Sequence, residues 1–260
     1  MPDLINKSDY AALVVPLISA RGHNVATVIV KATFDIGDDG ALTLAPHQEE
    51  IAFADALDVD RRFIVRPSDL VDFKPVAEVI VLPPANPVPD NQYHRKELGV
   101  RFGDLVFSSR VEGEWPFGPL ARGHESRRCF AGTYDDAWRE RRMPLLPIDF
   151  DPRFQLAARR AQQLTGYARG DESLVLANFH GRRRLDIRLP GRAVVISSNV
   201  LGEYFTRLAD LDTVLLHADM ARLELVWRSS IVPRQKLEEV GDIVVDDADW
   251  RTAHELFAES

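Results

Sequence analysis

Apolar and polar residues alternate with period two over much of the first third of the chain. In the stretch VATVIVKATFDI, every second residue from Val28 to Ile36 is apolar, and Lys31, Thr33 and Asp35 lie between them. This alternation predicts a β-strand with one apolar face. The letters GDDG that follow predict a turn, and ALTLAP returns as a partner strand, so we predict a β-hairpin.

The same alternation recurs along the rest of the chain. AALVVPLIS predicts a strand, with Pro16 favouring a sheet edge; VAEVIVL, ESLVLANF and RRLDIRLP predict further strands. LGVRFGDLVFSSR predicts a second hairpin, and DTVLLHADMARLELVWRSSIVP a third, with Leu223, Leu225 and Trp227 on its inner face. The pattern therefore predicts a mainly β (α+β) fold, with antiparallel sheets in two β-rich halves packed together and a few short helices.

Helical signals are sparse. In DPRFQLAARRAQQL, Asp151 can cap a helix and Pro152 suits its first turn, so we predict a helix over residues 151–164. DDADWRTAHELFAES predicts a capped amphipathic helix carrying Trp250, Ala253 and Phe257. We predict a single globular domain over 1–260: a β-rich half over about 10–131, a bridging helical segment over about 132–165, a β-rich half over about 166–232 and a helical tail over about 233–260.

Composition narrows the classes of protein that remain. The formal net charge is −8 over 260 residues, which argues against a general nucleic-acid binder. No apolar run approaches the ~20 residues of a membrane span, and MPDLINKSDY lacks the pattern of a signal peptide. Cys129 is the one cysteine, and we expect a buried structural thiol. These observations predict a cytoplasmic protein that binds neither nucleic acid nor membrane.

Charge is distributed unevenly along the sequence. Residues 35–60 contain eight acidic side chains and no Lys or Arg, while arginines are concentrated between Arg122 and Arg142 and at Arg182–Arg184. Two interpretations remain open. The charges form solvated faces and internal ion pairs, or they form a docking surface for a partner of opposite charge.

No catalytic constellation emerges from the motifs. The sequence has no nucleophile elbow, phosphate loop, dinucleotide fingerprint or Cys/His metal spacing, so we predict no catalytic residue, metal site or cofactor. His217 and Asp219, two residues apart, favour a hydrogen-bonded turn. The alternative is a hydrolase that uses the carboxylates of Asp135, Asp136 and Asp149.

The stretch GTYDDAWRERRMPLLPIDFDPRF, residues 132–154, is the most unusual part of the chain. Tyr134 and Trp138 are four residues apart, so a short helix would place both on one face; Pro144 and Pro147 then break it. The stretch is either a rigid brace between two β layers or a recognition surface, because Trp, Tyr and Arg are enriched at binding hot spots. The candidate partner-binding residues are Tyr134, Trp138, Arg139, Arg141 and Arg142.

This stretch carries a family resemblance. Together with GDESLVLANF, LDIRLPG, VIVKATFDIGDDGALTLAP and PSDLVDFKPVAEVIV, it resembles a bacterial domain-of-unknown-function family over about residues 10–232. The family's genes lie in type VI secretion clusters, beside spike proteins of the valine-glycine-repeat kind, PAAR tips and toxic effectors. The resemblance implies a non-catalytic adaptor or chaperone that binds a secreted effector, a spike or a PAAR tip protein and assists the loading of the effector onto the spike.

Overall fold

A computed structural model describes residues 2–19, 21–57, 64–83, 97–111, 115–120, 127, 129–179, 182–218 and 221–258. Strands account for 46% of the structure and helices for 11%, which confirms the mainly β prediction. The described residues contain sixteen strands, β1 to β16 in chain order. None of the helices in these ranges has the length and apolar character that crossing a membrane requires.

A six-stranded sheet forms the centre of the fold. Its order is Ala11–Ile18 (β2), Asn24–Ile36 (β3), Arg222–Ile231 (β15), Asp210–His217 (β14) and Glu78–Leu82 (β7), with Leu42–Leu44 (β4) paired to the end of β3. All neighbours are antiparallel except β14 and β7, which are parallel. Two of the predicted hairpins are present, and β2 with Pro16 lies at the sheet edge as predicted. The two predicted β-rich halves share this sheet. Strands β14 and β15 of the second half are hydrogen bonded to β7 and β3 of the first.

Two four-stranded sheets accompany the central one. The first has the order Arg184–Arg188 (β11), Ser173–Ala177 (β10), Glu97–Phe102 (β8) and Leu105–Arg110 (β9), which includes the remaining predicted hairpin. The second has the order Leu4–Asn6 (β1), Ile243–Asp249 (β16), Arg192–Val200 (β12) and Glu203–Leu208 (β13), with β1 and β16 parallel. A short pair, Ala56–Leu57 (β5) and Ile64–Arg66 (β6), completes the sheets.

The main core combines side chains from all three larger sheets. One face of the central sheet contributes Trp227, which stacks on Tyr10 with 5.9 Å between ring centroids. Leu223 and Leu225 are also fully buried there, so the predicted inner face of the third hairpin is confirmed. In the first four-stranded sheet, alternate residues of β10 and β11 are buried, as expected for strands with one solvated face.

The second face of the central sheet is buried as well, which the alternation did not predict. Ile29, Ile80 and Val226 form a smaller apolar cluster there with Ala157 and Ala158. The polar positions of β3 are buried with them: Lys31 and Thr33 have no exposed surface. The prediction of one apolar face was wrong because irregular segments cover the face that the polar residues occupy.

Buried charges on this second face are paired. The Lys31 ammonium donates to the Asp69 carboxylate and to the Glu50 carbonyl, and lies 3.6 Å from Glu224. Glu224 is fully buried and also binds Arg66 at 2.6 Å and His217 at 2.6 Å. Burial alone would raise the pKa of Glu224. The His217 bond and the two nearby cations outweigh burial and hold that pKa below its ordinary value.

Ion pairs also connect the acidic stretch 35–60 to distant arginines. Arg222 binds Glu49 at 3.0 Å and Asp35 at 3.2 Å, and Arg182 binds Asp38 in the turn between β3 and β4. That turn contains Gly40 at φ +84°, where a Cβ atom would lie 2.0 Å from the Asp186 carbonyl oxygen. At least three of the eight acidic residues in this stretch, Asp35, Asp38 and Glu49, are therefore neutralised by internal ion pairs.

The predicted helix over residues 151–164 was wrong. Asp151 does accept a bond from the Arg153 N–H, but only two 3₁₀ turns form, Pro152–Gln155 and Arg160–Gln162. The extended residues between them bond outward: the Ala157 carbonyl accepts from the Leu120 N–H, and the Ala158 N–H donates to Glu78 at 2.6 Å. Tertiary bonds thus replace the helical ones.

The tail is only partly helical. The predicted tail 233–260 contains the expected helix, Trp250–Ala258 (α2), and Asp249 caps it by accepting from the Thr252 N–H at 3.1 Å. It also contains the 3₁₀ turn Leu237–Glu239 and strand β16, which the pattern did not predict. All four letters DDAD, residues 246–249, belong to that strand rather than to the helix.

Replacing the buried ammonium tests this network. We expect Lys31→Met to lower the free energy of unfolding by about 3–5 kcal/mol, because it leaves the buried carboxylates of Asp69 and Glu224 without one of their cations. Urea unfolding measures the change. The control is Arg188→Met, whose side chain is 67% exposed and whose loss should cost at most ~1 kcal/mol. Equal stability of the two variants would contradict the importance of this network.

Candidate functional site

Residues 131–151 form a loop whose two ends are hydrogen bonded to each other. The Asp151 N–H donates to the Ala131 carbonyl at 2.7 Å. The Thr133 hydroxyl donates to Asp149 at 2.7 Å, and its N–H to the same carboxylate at 3.0 Å. These two bonds hold the pKa of Asp149 below its ordinary value. We call residues 131–151 the signature loop.

Gly132 lies close to the other end of the loop. A Cβ atom at this position would lie 3.0 Å from Pro147 and 3.1 Å from the Asp149 carboxylate. A side chain here would require its neighbours to shift by a few tenths of an ångström. Inside the loop, Ala131, Leu146 and Phe150 form a small buried cluster against which Phe154 packs.

The predicted aromatic pair is present. The helix Asp136–Arg141 (α1) begins after Asp135, whose carboxylate accepts from the Trp138 N–H at 2.7 Å. The rings of Tyr134 and Trp138 meet edge to face, with 4.8 Å between centroids. Both residues are half-buried, and the Trp138 indole N–H donates to the Leu145 carbonyl at 2.8 Å. The pair thus joins the helix to the extended part of the loop.

The three candidate arginines differ in environment. Arg139 is 65% exposed and pairs with Asp136 at 2.6 Å, and Arg141 is exposed at the end of the helix. Arg142 is half-buried, and its Nε donates to the Leu146 carbonyl. Arg139 and Arg141 are accordingly available at the surface, whereas Arg142 stabilises the turn.

Three large apolar side chains are exposed on or beside the signature loop. Phe130 is 63% exposed, Met143 is 61% exposed and Ile148 is 88% exposed. Cys129, beside Phe130, is also exposed. The prediction that Cys129 is buried was wrong. Cys129 and Phe130 lie at the surface in a turn in which the Phe130 N–H donates to the Arg127 carbonyl.

A cavity of about 570 Å³ lies between one end of the signature loop and the 3₁₀ turns that follow it. Phe130, Phe154 and Leu156 give it apolar walls, and Arg127, Arg153 and Arg160 also line it. Arg127 is buried, and burial lowers its pKa against the opposing effect of the Asp55 and Glu78 charges. The volume is in the range of ligand pockets. Sequence reasoning missed Phe130 and Arg127, because neither belongs to a recognisable motif.

Several contacts fix the loop, and the 3₁₀ turns that follow it, on the body of the protein. Leu145 lies against Gly22 in the turn between β2 and β3, where a Cβ atom would come within 2.9 Å of it. The Gln155 amide donates to Asp72 at 3.0 Å. The Gln162 amide donates to the Val79 carbonyl on β7 at 2.8 Å and to the Phe117 carbonyl at 2.7 Å. The exposed groups are thus carried on an anchored support.

The acidic residues considered for hydrolysis each have a local role. Asp135 caps helix α1, Asp136 pairs with Arg139, and Asp149 closes the loop with a lowered pKa. Acid–base catalysis favours carboxylates whose pKa is raised by burial or by a like charge. The hydrogen-bonded turn predicted for His217 and Asp219 stays a prediction, because Asp219 lies outside the described residues. His217 binds Glu224 across the third hairpin. In the described ranges, no group of three or more His, Cys, Asp or Glu side chains is placed to hold a metal ion.

Comparison with known proteins identifies the family. Two overlapping segments, residues 21–115 and 107–228, match the bacterial family described as "Uncharacterized protein conserved in bacteria (DUF2169)". The chain belongs to this family. No curated protein and no solved structure matches the chain.

Both matched segments contribute strands to the central sheet. Strands β3 and β7 lie in the first DUF2169 segment, and β14 and most of β15 lie in the second; these four strands are neighbours in the central sheet. The signature loop belongs entirely to the second segment. Strand β16 and helix α2 lie beyond residue 228, outside the match.

Truncation of Trp138 tests how much the aromatic pair contributes to stability. We expect Trp138→Ala to lower the free energy of unfolding by about 2 kcal/mol, less than the 3–5 kcal/mol of a fully buried aromatic residue, because Trp138 is half-buried. Trp138→Phe keeps the ring contact with Tyr134 and should lose about 1 kcal/mol, the worth of its hydrogen bond. Thermal and urea melts give both values. If neither variant were destabilised, the pair would have no role in folding.

Proposed function

We propose that this DUF2169 protein is a non-catalytic adaptor of type VI secretion that binds a secreted effector and assists its loading onto the spike. The observation that carries the proposal is the anchored signature loop, which exposes Met143, Ile148 and the arginines of its helix, with Phe130 exposed directly before it. Aromatic residues, Met and Arg are enriched in protein–protein interfaces. The type VI assignment itself rests on the resemblance carried by the segment 132–154.

The loop and the cavity beside it suit a protein partner. Exposed apolar side chains on a rigid support bury apolar surface on binding, and little conformational entropy is lost because the support is already ordered. The cavity can receive one or two apolar side chains of the effector between Phe130 and Phe154, as hot-spot residues fill pockets at the centre of an interface. Arg160 lines the cavity and is exposed, which favours an effector segment that carries acidic residues beside the apolar anchor.

An adaptor must also release its cargo. We therefore expect a moderate affinity, with a Kd on the order of 0.01–1 μM. The on-rate should fall with salt, because exposed charges are screened beyond about 8 Å at physiological ionic strength. The off-rate should respond less, because apolar contacts hold the complex. The hydrolase alternative gains no support from Asp135, Asp136 and Asp149, which all have local structural roles.

A charge placed on the loop tests the binding surface. We expect Ile148→Asp to weaken binding to the effector encoded by the neighbouring gene at least ~10-fold, since hot-spot truncations cost about 2 kcal/mol or more. Unfolding should change by only ~0.5 kcal/mol, because the side chain is 88% exposed. The matched control is Tyr204→Asp, at an 86% exposed position on β13, which should bind normally. Calorimetric titration measures both affinities.

Deletion of the gene tests the function itself. The effector should lose solubility, stability or secretion in the deletion strain and regain it when the wild-type gene is restored. An effector that is equally soluble, stable and secreted without this protein would refute the adaptor proposal. Equal binding by Ile148→Asp and the wild type would instead show that the partner uses another surface.

A further inference from the structure

The cavity beside the signature loop has the size and the walls of a site for a small ligand. Its volume of about 570 Å³ lies within the range of about 300–1,000 Å³ that is typical of ligand pockets. Phe130, Phe154 and Leu156 are among its apolar walls, and Leu156 is fully buried. We call it the loop cavity. Its walls suit a ligand with an apolar body.

Hydrogen bonds within the chain hold the walls of the loop cavity in place. The N–H of the wall residue Leu120 donates to the Ala157 carbonyl at 2.8 Å, directly after Leu156. The side-chain amide of Gln163, which also lines the cavity, donates to the Ala158 carbonyl at 2.9 Å. A cavity that is already formed loses little conformational entropy when a ligand binds.

Most of the charged residues that line the loop cavity are matched by charges within the chain. Asp151 carries the one carboxylate among the described lining residues, and Arg153 donates to both of its oxygens, through Nε at 3.0 Å and through a terminal nitrogen at 2.6 Å. These bonds hold the pKa of Asp151 below its ordinary value, so the pair stays ionised and neutral overall. Arg127 is buried and lies in the field of the Asp55 and Glu78 charges.

Arg160 is the exception among these charges. It lines the loop cavity and is exposed, so a ligand can reach its guanidinium group. Within the part of the chain that the structure describes, no carboxylate forms an ion pair with it. The N–H groups of a guanidinium match the geometry of a carboxylate. An apolar cavity with one unmatched guanidinium on its wall is therefore complementary to an apolar ligand with one carboxylate.

We propose that the loop cavity binds a small carboxylic acid with an apolar body, an aromatic ring or an alkyl chain, and that Arg160 pairs with its carboxylate. The apolar body lies between Phe130 and Phe154, and the carboxylate lies at the exposed side of the cavity with Arg160. This ligand shares the cavity with the proposed effector anchor, but its binding requires no effector. The inference therefore goes beyond the adaptor function and is tested without it.

Naphthaleneacetate and its uncharged amide, naphthaleneacetamide, are suitable probes, because they share one apolar body and differ in charge. We expect naphthaleneacetate, titrated into the full chain at neutral pH, to bind saturably by calorimetry with a Kd on the order of 0.1 mM. The amide should bind about fivefold more weakly, because it cannot form the ion pair with Arg160.

Two variants locate the binding of the probes. Arg160→Gln should lower the affinity for naphthaleneacetate about fivefold and leave the affinity for the amide unchanged, because only the ion pair is lost. Phe130→Asp should weaken both probes at least ~10-fold, because it places a charge in the apolar wall; the residue is 63% exposed, so the fold should persist. The matched control Arg188→Gln, on an exposed arginine of β11, should bind both probes as the wild type does.

The absence of saturable binding, or equal affinities of the wild type for the acid and the amide, would overturn the proposal. An affinity for the acid that either Arg160→Gln or Phe130→Asp leaves unchanged would overturn it too, because the probe would then bind elsewhere. If Phe130→Asp does not fold, Arg160→Gln decides alone. The adaptor proposal is judged separately by the effector titration with Ile148→Asp, so either proposal can fail while the other holds.

Discussion

The carboxylate of Glu78 determines how the second face of the central sheet can be covered. This side chain has no exposed surface, so both of its oxygens need partners: one accepts from Lys74 and the other from the Ala158 N–H. An unpaired buried carboxylate would cost several kcal/mol. The segment around Ala158 must therefore lie extended against the sheet, and this placement sets the position from which the signature loop projects.

The same constraint explains where prediction from sequence succeeded and failed. The hairpins were predictable because turn residues and alternation lie within about twenty residues of each other. The helix over residues 151–164 failed although Asp151 and Pro152 begin a turn as expected, because the Ala158 N–H bonds to a residue 80 positions away. Lys31 was predicted to lie opposite the apolar face of β3, and it is buried with Glu224, since an alternating pattern does not reveal that another segment covers that face.

The candidate site was predictable only in part, for similar reasons. The contact of Tyr134 with Trp138 was predicted from their spacing, although Tyr134 precedes the cap Asp135 and lies just outside helix α1. The closure of the loop by Thr133 and Asp149 joins residues 16 apart, and the cavity beside Phe130 depends on residues from three separate segments. Strands β12, β13 and β16 were also missed, and the pairing of β16 with β1 joins residues more than 230 positions apart, which leaves no local signal.

The parallel pairing of β1 with β16 has a consequence for synthesis on the ribosome. Leu4 pairs with Ile243 and Asn6 with Val245, so the first strand has no partner until about 240 further residues have been translated. At roughly 5–20 residues per second this delay is on the order of 10–50 s. The hairpin of β12 and β13 can form during that time, and β1 joins its sheet only once β16 has been translated. Because β1 has only three residues, it offers few unpaired backbone groups for pairing with another chain before β16 is made.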